Sequence, residues 1–235
     1  MSRCLEQWVA RTVRRSCLDR DLERVRSLMT GRVLEIGNGR QMRRGRFMPP
    51  VECAGRWDFL DLTLRLRPHV LGDVQRLPIK GEAYDCVVCL EVLEYVPNLH
   101  RAVAEIARVL VPGGRLILSV PFVHRVDSTN DLWRFTGHGV RILVSGAGLV
   151  PCDLQPQGGA HAVTAAVLKY CASCRSAGWS RLFLLAAVYP LAYWFEHQDG
   201  TAARRRPELV DYATGYLLVA DKPGIPDSRK EEKAS

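Results

Sequence analysis

Glu35 stands inside an apolar run, Arg32-Val33-Leu34-Glu35-Ile36, that ends in Gly37-Asn38-Gly39-Arg40. The run reads as a buried strand, and the two glycines give the following turn its backbone freedom. In an open α/β sheet, the turn at the carboxyl end of the first strand is where a nucleotide-like ligand sits. An acid buried there is costly without a partner, and a cationic or hydroxyl-bearing ligand would supply one. Asp61, in Trp57-Asp58-Phe59-Leu60-Asp61-Leu62, follows Gly37 by 24 residues. That is near the offset at which an acid meets a ribose hydroxyl in such sites. Asp73 lies at the end of a short third strand read at His69 to Val74. Its carboxylate could accept a hydrogen bond from an exocyclic amine. The third glycine of a dinucleotide fingerprint is missing, and Arg40-Gln41-Met42-Arg43-Arg44-Gly45 stands in its place. Pyrophosphate binding is therefore not supported.

A second group of chemically capable residues lies in a loop at 122–136, after the fifth strand. His124, Arg125, Asp127, Asp131 and Arg134 are its ionisable members. His124 could serve as general base to a hydroxyl acceptor, or it could be a loop histidine without that duty. Asp131 and Arg134, three residues apart, are expected to pair and fix the loop. Two Cys-x-x-Cys pairs invite a metal reading that their placement argues against. Cys86 and Cys89 fall on a strand, where residues three apart face opposite ways. Cys171 and Cys174 share a helix face but have no further Cys or His at finger-like spacing. No metal site is expected.

The elements that must position these residues are legible from periodicity. Residues 3–29 read as a helical cap with a break near Asp19. Residues 41–55 contain Gly45, Pro49, Pro50 and Gly55, so a long crossover helix is not expected there. Tyr84 to Leu90 is a fourth strand. Asn98 caps a helix whose buried face carries Leu99, Val103, Ile106, Ala107 and Leu110, ended by Pro112-Gly113-Gly114. Arg115 to Val120 is the fifth strand, Thr136 caps the next helix, and Leu149 to Gln155 and Thr214 to Ala220 are the last two strands. Between those two strands, helical patterns appear near 160–175 and 180–197. Residues 182–195 are very apolar but shorter than a bilayer span, with Pro190 in the middle. They could be buried against the sheet, form a homodimer interface, or meet a lipid surface.

The length suits one α/β domain with an insertion. The formal charge of +8 is uneven, because residues 1–50 hold 12 Arg against 5 acids (12 − 5 = +7). A solvated basic surface explains this as well as nucleic acid or anionic lipid does. The N-terminus has no continuous apolar h-region, so the expected location is the cytoplasm with reduced thiols.

Taken together, VLEIGNG, FLDL, GDVQRLP, YDCVVCLEVLEYV and AEIARVLVPGGRLILSVP resemble the class I S-adenosylmethionine-dependent methyltransferases, type 11 group, over about residues 30–150. The continuation from Pro121-Phe122 to Asp131-Leu132-Trp133-Arg134-Phe135-Thr136 resembles a small bacterial subgroup associated with polysaccharide and cell-envelope biosynthesis. The resemblance implies a Rossmann-like seven-stranded sheet with helices on both faces and a helical insertion, 160–206, before the last strand. The domain spans 31–222, between the cap at 1–30 and a disordered tail at 223–235. It also implies S-adenosylmethionine as cofactor. Glu35, Gly37, Asn38 and Gly39 would line its methionine part, and Asp61 would take the ribose hydroxyls. Leu62 would pack beside the adenine, Asp73 and Val74 would address the adenine edge, and Leu90 and Glu91 would close the pocket near the sulfonium. The expected function is methyl transfer to a small-molecule, glycan or lipid-linked acceptor, with peripheral membrane contact or homodimerisation through 182–195. RNA methylation and non-catalytic binding are the alternatives. No Asn-Pro-Pro-Tyr-like tetrapeptide follows the fourth strand, which argues against methylation of a base.

Overall fold

The computed structural model describes residues 12–37, 45–174, 186–198 and 206–224. One sheet holds seven strands: β1 Arg32–Ile36, β2 Arg56–Asp61, β3 Val70–Leu71, β4 Tyr84–Leu90, β5 Leu110–Pro121, β6 Val150–Gln157 and β7 Gly215–Asp221. Their order is β3-β2-β1-β4-β5-β7-β6. β1 to β5 run parallel, and β7 runs antiparallel between β5 and β6. β1 and β4 are almost continuously apolar because both faces of a parallel sheet are covered.

Alternation divides the core. Leu34, Ile36, Val87 and Cys89 face helices α2 (Leu99–Val109) and α3 (Gly137–Gly146). Val33, Cys86 and Val88 face helix α1 (Val13–Val25) through Leu18 and Leu22. Cys86 and Cys89 thus lie on opposite faces. Asn98 caps α2 by accepting from the Arg101 N–H at 3.0 Å, and Thr136 caps α3 by accepting from Gly139 at 3.1 Å. Between β1 and β2 the described residues 45–55 form no α-helix, only a short 3-10 turn at Val51–Cys53.

Several boundaries differ from the expected ones. α1 runs unbroken through Asp19, because that carboxylate turns inward and accepts the Arg46 N–H at 2.8 Å instead of opening a second helix. The cap expected over 3–11 lies outside the described residues. β3 shrinks to two residues because Asp73 starts a turn. Its carboxylate accepts the Gln75 N–H at 2.8 Å, and its carbonyl accepts the Arg76 N–H at 2.9 Å. α2 stops at Val109, before Pro112, since Leu110 already pairs with Tyr84 in the sheet.

The insertion contains helix α4 (Ala160–Ser173) and a helix α5 over residues 186–198. Val188, Ala192 and Phe195 of α5 pack against Val13, Cys17, Ala162 and Ala165. The described part of the apolar segment, residues 186–195, therefore rests on α1 and α4. The alanines supply the close helix approach that this needs. Leu191, Tyr193 and Trp194 are exposed, while residues 182–185 and the tail beyond 224 lie outside the described residues. Among the described residues no helix is long and apolar enough to cross a membrane.

Candidate active site

The carboxyl ends of β1, β2 and β4 meet at one edge of the sheet. The Gly37 N–H donates to Leu60 C=O at 2.8 Å, stitching the first turn to β2. Gly37 has φ +82°, and a Cβ there would come within 2.3 Å of Val92 Cγ2. A glycine is required on both counts. Asp61 is buried; its Oδ1 accepts the Thr63 N–H at 2.9 Å and its carbonyl accepts the Gly72 N–H at 3.0 Å. Leu62, next to it, is 72% exposed. Leu90 closes β4 opposite Ser119 of β5. Asp73 and Val74 sit one strand farther out. Both carboxylate oxygens of Asp73 accept from the Gln75 side chain, and Val74 is buried in the core. Asn38 and Gly39 lie outside the described residues.

Glu35 does not project from this edge. Strand alternation turns it toward the α1 layer, where its Oε2 accepts the Trp57 indole N–H at 3.1 Å. Leu22, Met29 and Phe47 line the same crevice. An indole N–H supplies the kind of partner that an acid at this position requires.

Glu91, one residue beyond β4, anchors a second group. It has φ +55°, rare for a residue with a side chain. Arg14 of α1 grips both of its oxygens, through Nε at 2.5 Å and through Nη2, and Arg14 Nη1 donates to the Thr214 carbonyl at 2.7 Å. Ser119 Oγ donates to Glu91 Oε1 at 2.5 Å. Arg14 is 4% exposed, and Gly215 exists to admit it: a Cβ there would stand 1.8 Å from Arg14 Nη1. Burial alone would raise the Glu91 carboxyl, but the Arg14 charge and hydrogen bonds, with Ser119, hold it below the usual range. Glu94 goes the other way. Burial, then the neighbouring Glu91 charge, push it up to about 8, and its Oε2 has no hydrogen-bond partner among the described residues.

His124 lies on the same side. Burial first, then the Arg14 charge, lower its pKa against the opposing pull of Glu91, so the ring is neutral near pH 7. Arg134 holds its loop in place, donating to the carbonyls of His124 at 3.2 Å and Arg125 at 2.8 Å while pairing with Asp131. Arg14 and His124 share the wall of a cavity of about 530 Å³ bounded by α1, this loop and α4. Among the described residues no His, Cys, Asp or Glu cluster could hold a metal ion.

The structure thus sorts the expected residues. It gathers Gly37, Asp61, Leu62, Leu90 and Glu91 along one edge, places Asp73 and Val74 beyond it, and sets His124 in the cavity wall that also holds Arg14. Sequence reading passed over Arg14, Trp57, Glu94 and Ser119. Ser119 left a trace, as a lone hydroxyl in the apolar run Leu116 to Val120. Arg14 left none, because its partner is 77 residues away.

Comparison with known proteins bears on the fold and on one segment of the chain. Residues 59–118 match the type 11 methyltransferase domain family. The malonyl-[acyl-carrier protein] O-methyltransferase of Methylococcus capsulatus is 34% identical over 101 residues, covering 37% of this chain and 36% of that protein. The sterol 4-C-methyltransferase of Caenorhabditis elegans is 37% identical over 62 residues, 26% of this chain and 17% of that one. The chain therefore spans little more than a third of the length of the curated relatives it matches, or less. Among solved structures, the [4+2]-cyclase SpnF aligns over 88% of this chain and 82% of its own, with TM-score 0.56 and 19% identity. A Haemonchus contortus phosphoethanolamine N-methyltransferase, solved with S-adenosylhomocysteine, aligns over 88% and 53% with TM-score 0.50 and 14% identity. At those identities the likeness is one of fold. Residues 59–118 thus match the type 11 methyltransferase domain, and the seven-stranded sheet that holds them is similar in fold to Rossmann-like class I methyltransferase structures.

Proposed function

We propose that this protein transfers the methyl group of S-adenosylmethionine to a small-molecule, glycan or lipid-linked acceptor. The observation that carries the reading is the meeting of the Gly37 turn and the Asp61 carboxylate at one strand edge, with Asp61 inside the matched family segment. A turn that admits no Cβ and a strand-end acid fit an adenosyl group bearing an amino-acid tail. The fold alone would not choose the reaction, since SpnF, described as a cyclase, shares it.

In this reading Asp61 takes the ribose hydroxyls and Leu62 covers the adenine, whose edge meets Asp73 and Val74. Gly37, Asn38 and Gly39 line the methionine part. Glu35, held by Trp57, forms the floor behind that turn. Leu90 and Glu91 close the site near the sulfonium, with Glu91 kept ionised by Arg14. The cofactor supplies a methyl group on an already activated leaving group, so the chain's task is alignment of the acceptor. His124, neutral near pH 7, takes the proton of a hydroxyl acceptor. Contact through 182–195, with a lipid surface or with a second copy, is the outer part of the reading. Vesicle flotation and sedimentation separate those two.

The test is calorimetric titration with S-adenosylmethionine and S-adenosylhomocysteine, beside Asp61→Ala. We expect saturable binding by the wild type, weakened about 10- to 100-fold in the variant by loss of charge-assisted hydrogen bonds. A folded wild type that binds neither compound overturns the reading.

A further inference from the structure

The cavity between α1, the loop after β5 and α4 is sized for a ligand. Its volume of about 530 Å³ falls within the roughly 300–1,000 Å³ of small-molecule sites. Val13, Val123, Val163, Ala166 and Val167 make much of its wall apolar. Its charged lining is of one sign. Among the described residues, Arg14, Arg125 and Lys169 contribute to the wall and no Asp or Glu does. Arg14 is balanced by Glu91 behind it. Arg125 is not balanced: its guanidinium lies over the Tyr170 ring at 5.4 Å from the centroid, and among the described residues no carboxylate pairs with it. The amino end of α1 reaches the same wall at Thr12 and Val13, with no acid in its first turn, so its dipole adds to the positive potential.

A neutral apolar guest would leave that potential unused, and a cationic guest would meet repulsion. We propose that this cavity binds a small organic anion, its apolar body against the valines and its carboxylate or phosphate head at Arg125, and that this guest is the methyl acceptor. The second half of the statement rests on the methyltransferase reading; the first half does not. Position supports the second half. The wall residues Arg14 and His124 are the ones that adjoin Glu91 at the end of β4, where the proposed site places the methyl group. An acceptor seated by its anionic head would present its other end to that edge, with a neutral imidazole beside it.

The 235-residue chain is titrated by calorimetry with octanoate, octyl phosphate, octanol and octyltrimethylammonium. Each titration is repeated on Arg125→Gln and on Val167→Trp, which fills the cavity from α4, with S-adenosylhomocysteine titrated in parallel and folding verified by circular dichroism. Wild type is expected to bind at least one of the two anions saturably, about tenfold or more tightly than octanol, and not to bind the cation. Whichever anion binds more tightly identifies the head group. Arg125→Gln is expected to erase the preference over octanol, Val167→Trp to abolish binding of both anions, and neither to change the affinity for S-adenosylhomocysteine. Anions bound no more tightly than octanol, or an unchanged preference in Arg125→Gln, overturn the anion site. If S-adenosylhomocysteine still binds, the methyltransferase reading survives that result. Anion binding without cofactor binding overturns the acceptor assignment and leaves the anion site.

Discussion

The two halves of the sheet build their share of the site by different means. On the β3-β2-β1-β4 side, the proposed cofactor edge is made of residues that follow their own strands directly: Gly37 after β1, Asp61 at the end of β2, Leu90 at the end of β4. A parallel sheet brings successive strand ends to one edge, so short motifs suffice to place them. On the β5-β7-β6 side, the corresponding wall is assembled from distant pieces. Arg14 reaches Glu91 across 77 residues and Thr214 across 200, and Ser119 meets Gln157 across 38. The first half is a consequence of topology. The second depends on one buried cation arriving from α1, and it should be correspondingly fragile.

Removing that cation is the strongest way to break the contrast. Arg14→Met leaves Glu91 buried without its partner, and a stranded buried charge costs about 3–5 kcal/mol. Urea denaturation should show a loss of that size, while Asp61→Ala should move the midpoint far less. Equal losses in the two variants would mean that the halves are not built differently. Replacing both partners, Arg14→Met with Glu91→Leu, should recover much of the loss.

His124 sharpens the comparison on the chemical side. His124→Gln should lower kcat for a hydroxyl acceptor by about 100-fold, with cofactor affinity unchanged. Because burial and Arg14 lower the His124 pKa, kcat/KM should fall only as pH drops below the ordinary histidine value. An acid limb at or above pH 7 would exclude this imidazole as the base.

Glu94 makes a smaller, pH-dependent contribution. Its carboxyl is raised to about 8 in the folded protein. The folded state therefore holds a proton that the unfolded state has already released. Glu94 destabilises progressively as pH rises from the unfolded carboxylate range toward about 8, and the effect levels off above that. Glu94→Gln removes the titration. Its melting temperature should exceed that of the wild type by a margin that widens between pH 5 and pH 8, an effect of at most a few kcal/mol. A margin independent of pH would assign the stabilisation to something other than ionisation.

The smallest effect is expected at the seam between β5 and β7. Arg115 meets Asp221 there at 2.6 and 2.9 Å, but both side chains are about one-third exposed. Arg115→Ala should cost about 1 kcal/mol or less, and 0.5 M salt should shrink the difference further. A loss comparable to that of Arg14→Met would show that the antiparallel half depends on surface pairs as well.

The chain itself determined the parallel core. Val33-Leu34 and Val87-Val88 read as buried strand, Asn98 and Thr136 mark helix starts by their own side chains, and Gly37 is demanded by its turn. These are local choices, fixed by side-chain period, capping and φ, and they carry Gly37, Asp61 and Leu90 to one edge through topology alone. Tertiary structure decided the rest. Glu35 points toward Trp57 because strand alternation and the α1 layer set its face. Asp73 is taken by Gln75, which shortens β3. α5 rests on α1 and α4 through alanines that periodicity could not distinguish from sheet-facing ones. Arg14, one arginine among the 12 in the first 50 residues, becomes a buried anchor. A buried charge is stabilised only by partners in three dimensions, and no spacing along the chain records where those partners will be.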